Sequence, residues 1–205
     1  MKDARSIFTD RRSINFFDPN RPLPEGMLKD IYELASTVPS AFNLQPWKII
    51  AVQSAEAKQK LFDAAFQQPK IKDAPLTLIL LADKEGYSAE NPEWEAKVTM
   101  MGNREQVEGM RNFAGMLYGT SPERKLKFAE SNTGLLAMSL MYAAQVYDVE
   151  THAMSGMDFD AVRKAFDVAD RYEVSMLITF GYLTPGKVLY PRVARLGFDE
   201  VVEIR

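Results

Sequence analysis

A single domain mixing amphipathic helices with a few strands is the fold class that the sequence predicts, on three observations. The chain has 205 residues, 46% of them hydrophobic, enough to bury one core and leave a pocket, whereas two domains would be cramped. The run Leu76–Ala82 is apolar on both faces, as a central strand is. The stretch 123–147, with Leu126, Phe128, Ala129, Leu135, Leu136, Met138, Leu140, Ala143, Ala144 and Val146, becomes apolar nearly all round toward its end, as a buried central helix or a dimer-interface helix does.

The elements follow in order. Ala4, Ile7 and Phe8 share one side of a short helix over 3–10, which leads into Arg11-Arg12-Ser13-Ile14-Asn15. Two arginines and a serine at a helix end suit a phosphate clamp, since guanidinium is planar and bidentate; on composition alone a solvated basic corner is the commoner outcome. Pro24 and Glu25 suit the first turn of a helix over 25–37 that buries Ile31 and Leu34. An alternating strand follows at Trp47–Val52, then a helix over 55–66. Gln67 to Pro75 reads as a linker in which Lys70 is a pocket cation or an exposed side chain. Trp94–Tyr118 is a helical pattern weakened by Gly102, Gly109, Gly115 and Gly119, hence kinked, mobile or a lid. Strands are expected at Glu150–Met154 and Glu173–Tyr182, with a turn at Ser155–Asp158 and a helix over 159–168 capped by Asp158. His152 is given a structural or exposed role. The tail Lys187–Arg205 has no helical pattern, ends in a short strand at Glu200–Ile204, and either packs on its own sheet or crosses to a partner.

Between the second helix and the first strand lies Pro39-Ser40-Ala41-Phe42-Asn43-Leu44-Gln45-Pro46-Trp47, too apolar for a solvated loop yet supplied with Ser40, Asn43 and Gln45. It is built to hold something, or it is a well-packed turn anchored by Trp47.

Charge and composition narrow the classes. A net charge of -3, from 25 Lys and Arg against 28 Asp and Glu, argues against a general nucleic-acid binder. No leader pattern and no membrane-length apolar run is present, so a cytoplasmic protein is expected. With no cysteine and one histidine, thiolate chemistry and a Cys/His zinc cluster are out of reach, and only a carboxylate site stays open for a metal. There is no Gly-x-Gly fingerprint, so a bound nucleotide must be held by side chains.

Taken together, Arg11-Arg12-Ser13-Ile14, the Pro39–Trp47 loop, Lys70-Ile71-Lys72-Asp73-Ala74-Pro75, Ser155-Gly156 and Ile178-Thr179-Phe180-Gly181-Tyr182-Leu183 resemble, in that order, the FMN-dependent nitroreductase family. The resemblance implies an α+β fold with a mostly antiparallel central sheet flanked by helices, and an intertwined homodimer with exchanged C-terminal tails and two FMN sites between subunits. It implies that Arg11, Arg12 and Ser13 hold the FMN phosphate and ribityl chain, joined from the tail by Arg192 and Arg195. Pro39, Ser40, Ala41 and Asn43 would face the flavin bound mainly by the other subunit. Gln67 and Lys70 would face the pyrimidine edge, and Ser155 and Gly156 the N5 and O4 side. Asn15 stands where many relatives have Lys or Arg, leaving Lys70 as the cation near N1, and Ser155 where some have Glu. The glycine often found near Tyr147-Asp148 is missing.

A flavin carries hydride chemistry itself, so a chain without an acid-base dyad suffices. The expected activity is an FMN-dependent oxidoreductase passing reducing equivalents from NADH or NADPH to a nitro compound, quinone or activated alkene by a ping-pong mechanism. The alternatives are a flavin-holding or flavin-sensing protein with little turnover, and an apolar-ligand binder without flavin. The expected partners are a second copy of the chain and a small-molecule electron acceptor, with no nucleic acid and no membrane.

Overall fold

Two-sided burial of a single sheet organises the structure, a computed structural model that describes residues 3–205. The strands β1 (Trp47–Val52), β2 (Leu76–Asp83), β3 (Glu150–Met154) and β4 (Tyr172–Gly181) lie in the order β1-β2-β4-β3, and every pairing is antiparallel. Along β2, Leu76, Leu78 and Leu80 point to one face and Ile79 and Leu81 to the other, all buried. The first face packs on α2 (Met27–Ala35) and the long α7 (Pro122–Val146) through Ile31, Leu136, Leu140 and Ala144. The second packs on α3 (Ala55–Ala64), α4 (Pro69–Asp73) and α8 (Phe159–Ala165) through Leu61, Ile71 and Val162. This is why the Leu76–Ala82 run lacks alternation: both faces are covered, and each buried Leu or Ile contributes roughly 1.5–3 kcal/mol.

The α7 helix is started by Ser121, whose side chain accepts from the Arg124 N–H, with Pro122 at its first position and Glu123 in its first turn. It packs against α2, β2 and β4 as the central helix, while Leu126 and Leu135 remain 39% and 47% exposed. The mixed pattern of Trp94–Tyr118 resolves into two helices, α5 (Glu93–Met101) and α6 (Arg104–Tyr118). They break at Gly102, which adopts φ +64°, where Asn103 caps α6. Gly109 and Gly115 sit inside an unbroken α6, so the kink is at Gly102 alone. These helices build a separate aromatic cluster with Tyr87, Trp94 and Phe128.

Several expectations need correction. The helix predicted for 25–37 begins at Met27, and Pro24 and Glu25 form the turn before it because Gly26 at φ +81° bends the chain there. Leu34 stays 41% exposed and is not part of the buried face. The Gln67–Pro75 linker contains α4, with Pro69 in its first turn and Ile71 fully buried. The predicted strand Glu200–Ile204 is replaced by the short helix α9 (Phe198–Val201), because Glu200 reaches back to accept the Gly197 N–H at 2.6 Å and among the described residues no strand lies alongside to pair with it. The tail therefore does not join its own sheet. Nor is it free of upstream contacts: just before it Thr184 N–H donates to the Phe16 carbonyl at 3.0 Å, and within it Arg192 donates to the carbonyls of Thr9 and Arg11. Among the described residues no helix is long and apolar enough to cross a membrane.

Candidate functional site

The outer edge of β3 is where the predicted phosphate residues arrive. After α1 (Ala4–Asp10), capped by Asp3, the backbone becomes extended at Arg11. Ser13 bridges Thr151 in parallel, and Ile14 N–H donates to the Thr151 carbonyl at 3.2 Å. From the next residue of β3, the His152 Nδ1–H donates to the Ile14 carbonyl at 2.7 Å. This gives the single histidine a structural role: it holds the arginine segment to the sheet edge. The tail then closes over that segment. The Arg12 guanidinium donates to the Tyr190 carbonyl, and that of Arg192 to the carbonyls of Thr9 and Arg11. The Tyr190 ring lies 5.9 Å from Phe16.

The result is a cavity of about 200 Å³ lined by Arg11, Arg12, Ser13, Asn15, Tyr190, Pro191, Arg192, Val193 and Arg195. Four arginines and no acidic residue line it. Like charges gathered so closely repel one another unless an anion lies among them, and planar forked donors match phosphate oxygens best. The donor set therefore fits a phosphate.

Beside this cavity lies the second group of predicted residues. Lys70, half-buried on α4, donates to Gln68 Oε1 at 3.1 Å, and Gln68 Nε2 donates to the Gly156 carbonyl at 2.6 Å. Burial pushes the Lys70 ammonium below its ordinary pKa. Burial also lowers the His152 pKa, reinforced by the positive charges of Lys70 and Arg11, which places both cations in the field of one imidazole. Gln67, at φ +55°, is exposed, its N–H donating to the Phe62 carbonyl at 3.0 Å, and Ser155 is exposed. Sequence reasoning passed over Gln68, which ties α4 to the Ser155–Gly156 turn, and Tyr190, whose carbonyl meets Arg12. Gln68 lies next to a residue that was chosen, but nothing in the pattern distinguishes the two glutamines.

The Pro39–Trp47 loop is not brought to this cavity within one chain. It stands on the α5–α7 side, held by four side chains. Ser40 Oγ accepts the Gln45 N–H at 3.0 Å, and buried Asn132 Oδ1 accepts the Ala41 N–H at 2.8 Å. Asn91 donates to the Leu44 carbonyl at 2.9 Å, and Asn43 to Glu93 at 3.1 Å. Phe42, Asn43 and Gln45 all adopt positive φ, between 49° and 53°, a conformation that costs on the order of 1 kcal/mol or more per non-glycine residue. The surrounding hydrogen bonds keep the loop in this form. Pro46 approaches the backbone of Gly86 so closely that a Cβ there would stand 2.5 Å from the Pro46 Cβ.

An antiparallel sheet between helical layers, with an arginine-walled cavity at its edge and a braced loop on its opposite flank, defines an α+β protein whose charged donors suit an anionic ligand. The chain belongs to the nitroreductase family, whose model matches residues 8–182. It is 32% identical over 203 residues, covering 98% of this chain and 95% of the relative, to a protein of Thermus thermophilus named NADH dehydrogenase. Its fold superposes with a TM-score of 0.86 on a nitroreductase-like protein from Streptococcus mutans, at 27% identity and with 98% and 97% of the two chains covered. A chain from Exiguobacterium sibiricum solved in complex with FMN shares the fold at a TM-score of 0.87 and 24% identity, with 100% and 98% covered.

Proposed function

We propose that this protein is an FMN-dependent oxidoreductase that takes reducing equivalents from NADH or NADPH and passes them to a nitro compound, quinone or activated alkene in alternating half-reactions. The observation that carries the reading is the carboxylate-free cavity walled by Arg11, Arg12, Arg192 and Arg195. Bound there, FMN supplies the hydride chemistry that the side chains cannot. Arg11, Arg12, Ser13, Arg192 and Arg195 hold the phosphate and ribityl chain, with Asn15 beside them. Lys70, with its ammonium desolvated and next to Gln68, places a positive charge at the pyrimidine edge, and Gln67, Ser155 and Gly156 border the ring. Pro39, Ser40, Ala41 and Asn43 serve the site of the other subunit, in keeping with a loop that is braced but stands apart from its own arginine cavity.

The same proposal makes residues 1–205 one domain of a cytoplasmic homodimer with exchanged tails. The tail supports it: Val188, Val193 and Ile204 are 84%, 80% and 81% exposed, apolar surface that a second copy of the chain would cover. So does the unpaired edge of β1, which borders a groove of about 740 Å³ lined by Leu23, Leu28, Tyr32, Trp47 and Ile49. The purified protein is expected to be yellow, to bleach when NADH or NADPH is added without oxygen, and to regain colour with menadione. A protein that stays colourless after incubation with FMN would overturn the reading. One that binds FMN and consumes no nicotinamide would leave a flavin-holding protein.

A further inference from the structure

A second cavity, of about 250 Å³, opens where α6 meets α7, lined by Leu117 and Tyr118 of α6 and by Arg124, Lys127, Ser131 and Asn132 of α7. Arg124, Lys127 and Ser131 follow one another at intervals of three and four residues and so share one face of the helix. No acidic side chain lines the cavity. Among the described residues neither cation has an ion pair, whereas Lys125, on another face of the same turn, is paired with Glu85 at 2.8 Å. The wall behind them is flat and apolar: Tyr118 and Phe128 stack with centroids 4.4 Å apart and 27° between their planes. The cavity is also joined to the braced loop, since Phe42 meets Tyr118 at 6.4 Å and Asn132 holds the Ala41 N–H.

We propose that this cavity takes the anionic oxygen group, carboxylate or phosphate, of the small molecule that reacts at the flavin. The inference rests on the reading of the Pro39–Asn43 loop as a flavin contact. An anion here meets a guanidinium that can engage two oxygens, an ammonium and the Ser131 hydroxyl, while the stacked rings cover the carbon framework attached to it. Two sources share this chemistry: the phosphates of the nicotinamide nucleotide, and a carboxylate on the electron acceptor.

The test compares the flavin-loaded wild type with the double variant Arg124→Gln/Lys127→Gln, which keeps length and polarity and removes both charges. The ratio of kcat/KM for NADPH over NADH is measured, together with the ratio for 4-nitrobenzoate over nitrobenzene and inhibition by inorganic pyrophosphate. A fall of about 10-fold in the first ratio, or an equal rise in the pyrophosphate inhibition constant, identifies the nucleotide phosphates, and the same fall in the second identifies the acceptor carboxylate. The charge-preserving exchange Arg124→Lys/Lys127→Arg restores most of the effect. Both ratios and the inhibition constant equal to wild type overturn the proposal, and so does an equal loss for 4-nitrobenzoate and nitrobenzene when the NADPH over NADH ratio and the pyrophosphate inhibition constant stay at their wild-type values. Should the wild type hold no flavin, the functional reading has failed, and calorimetry with benzoate and pyrophosphate on wild type and double variant decides the cavity alone: equal affinities overturn it.

Discussion

Arg12 illustrates how one side chain serves structure and binding together. Its guanidinium ties the tail to the N-terminal segment through the Tyr190 carbonyl and still faces the arginine cavity. Arg12→Ala is expected to weaken FMN by about 10- to 100-fold, since charge-assisted hydrogen bonds contribute roughly 1.5–3 kcal/mol each. Flavin content after dialysis measures it, and occupancy equal to wild type in both Arg12→Ala and Arg11→Ala would remove these residues from the phosphate site. His152 gives a pH prediction. Burial and the nearby charges of Lys70 and Arg11 hold its folded pKa below the ordinary 6.5, so the unfolded chain binds a proton that the folded one refuses. The contribution is fully present above about 6.5, the unfolded value, and is lost as pH falls through the lower folded value. His152→Gln keeps a donor for Ile14 and cannot titrate. Its melting temperature should therefore fall less than that of wild type between pH 7 and pH 5, and parallel curves would show that His152 titrates alike in both states.

Elements here are legible where periodicity decides and opaque where a single contact does. The four strands of the sheet were read to within one residue because β2 and β4 are apolar runs bounded by charge and turn residues, whereas the strand expected at Glu200–Ile204 is not formed. The break at Gly102 was one of four candidate glycines, and only its left-handed φ sets it apart. The braced loop depends on Asn132, 91 residues away in sequence, whose buried carbonyl oxygen accepts the Ala41 N–H. Asn132→Leu leaves that N–H unpaired and is expected to cost roughly 1–3 kcal/mol, or about 2 to 4 °C of melting temperature per kcal/mol in a domain of this size. Asn132→Asp keeps the acceptor but turns its second oxygen on the Phe128 carbonyl, to which Asn132 Nδ2 donates at 2.6 Å, so it should recover stability only as falling pH protonates that buried carboxyl. Equal destabilisation by the two at every pH would mean that the site is sensitive to packing and not to the hydrogen bond.

For the whole molecule the tail is the open question that experiment can close. Leu183, Thr184, Tyr190 and Arg192 are held to the Thr9–Phe17 segment, while Val188, Val193, Leu196, Phe198 and Ile204 face outward. If those side chains dock on a second copy, the interface is that of an obligate dimer, on the order of 2,000 Å² or more. Truncation before Lys187 should then release both dimer and FMN, because Arg192 and Arg195 leave with the tail. Sedimentation of the truncated protein checks this, and a stable yellow dimer would show the tail to be dispensable.

By itself the sequence determined the four strands of the sheet and the long α7, the two-sided burial of β2, the Arg11–Ser13 motif and the Pro39–Trp47 loop, since each is written in local pattern or residue type. Only the tertiary structure decided that Arg12 and Arg192 tie the tail to the N-terminal segment through backbone carbonyls, that Gln68 and not Gln67 bridges to Gly156, and that the tail ends in α9 and not in a strand. The physical reason is the same in each case. A side chain's role depends on which distant backbone group lies within about 3 Å of it, and a strand exists only when another is beside it to pair its N–H and C=O groups.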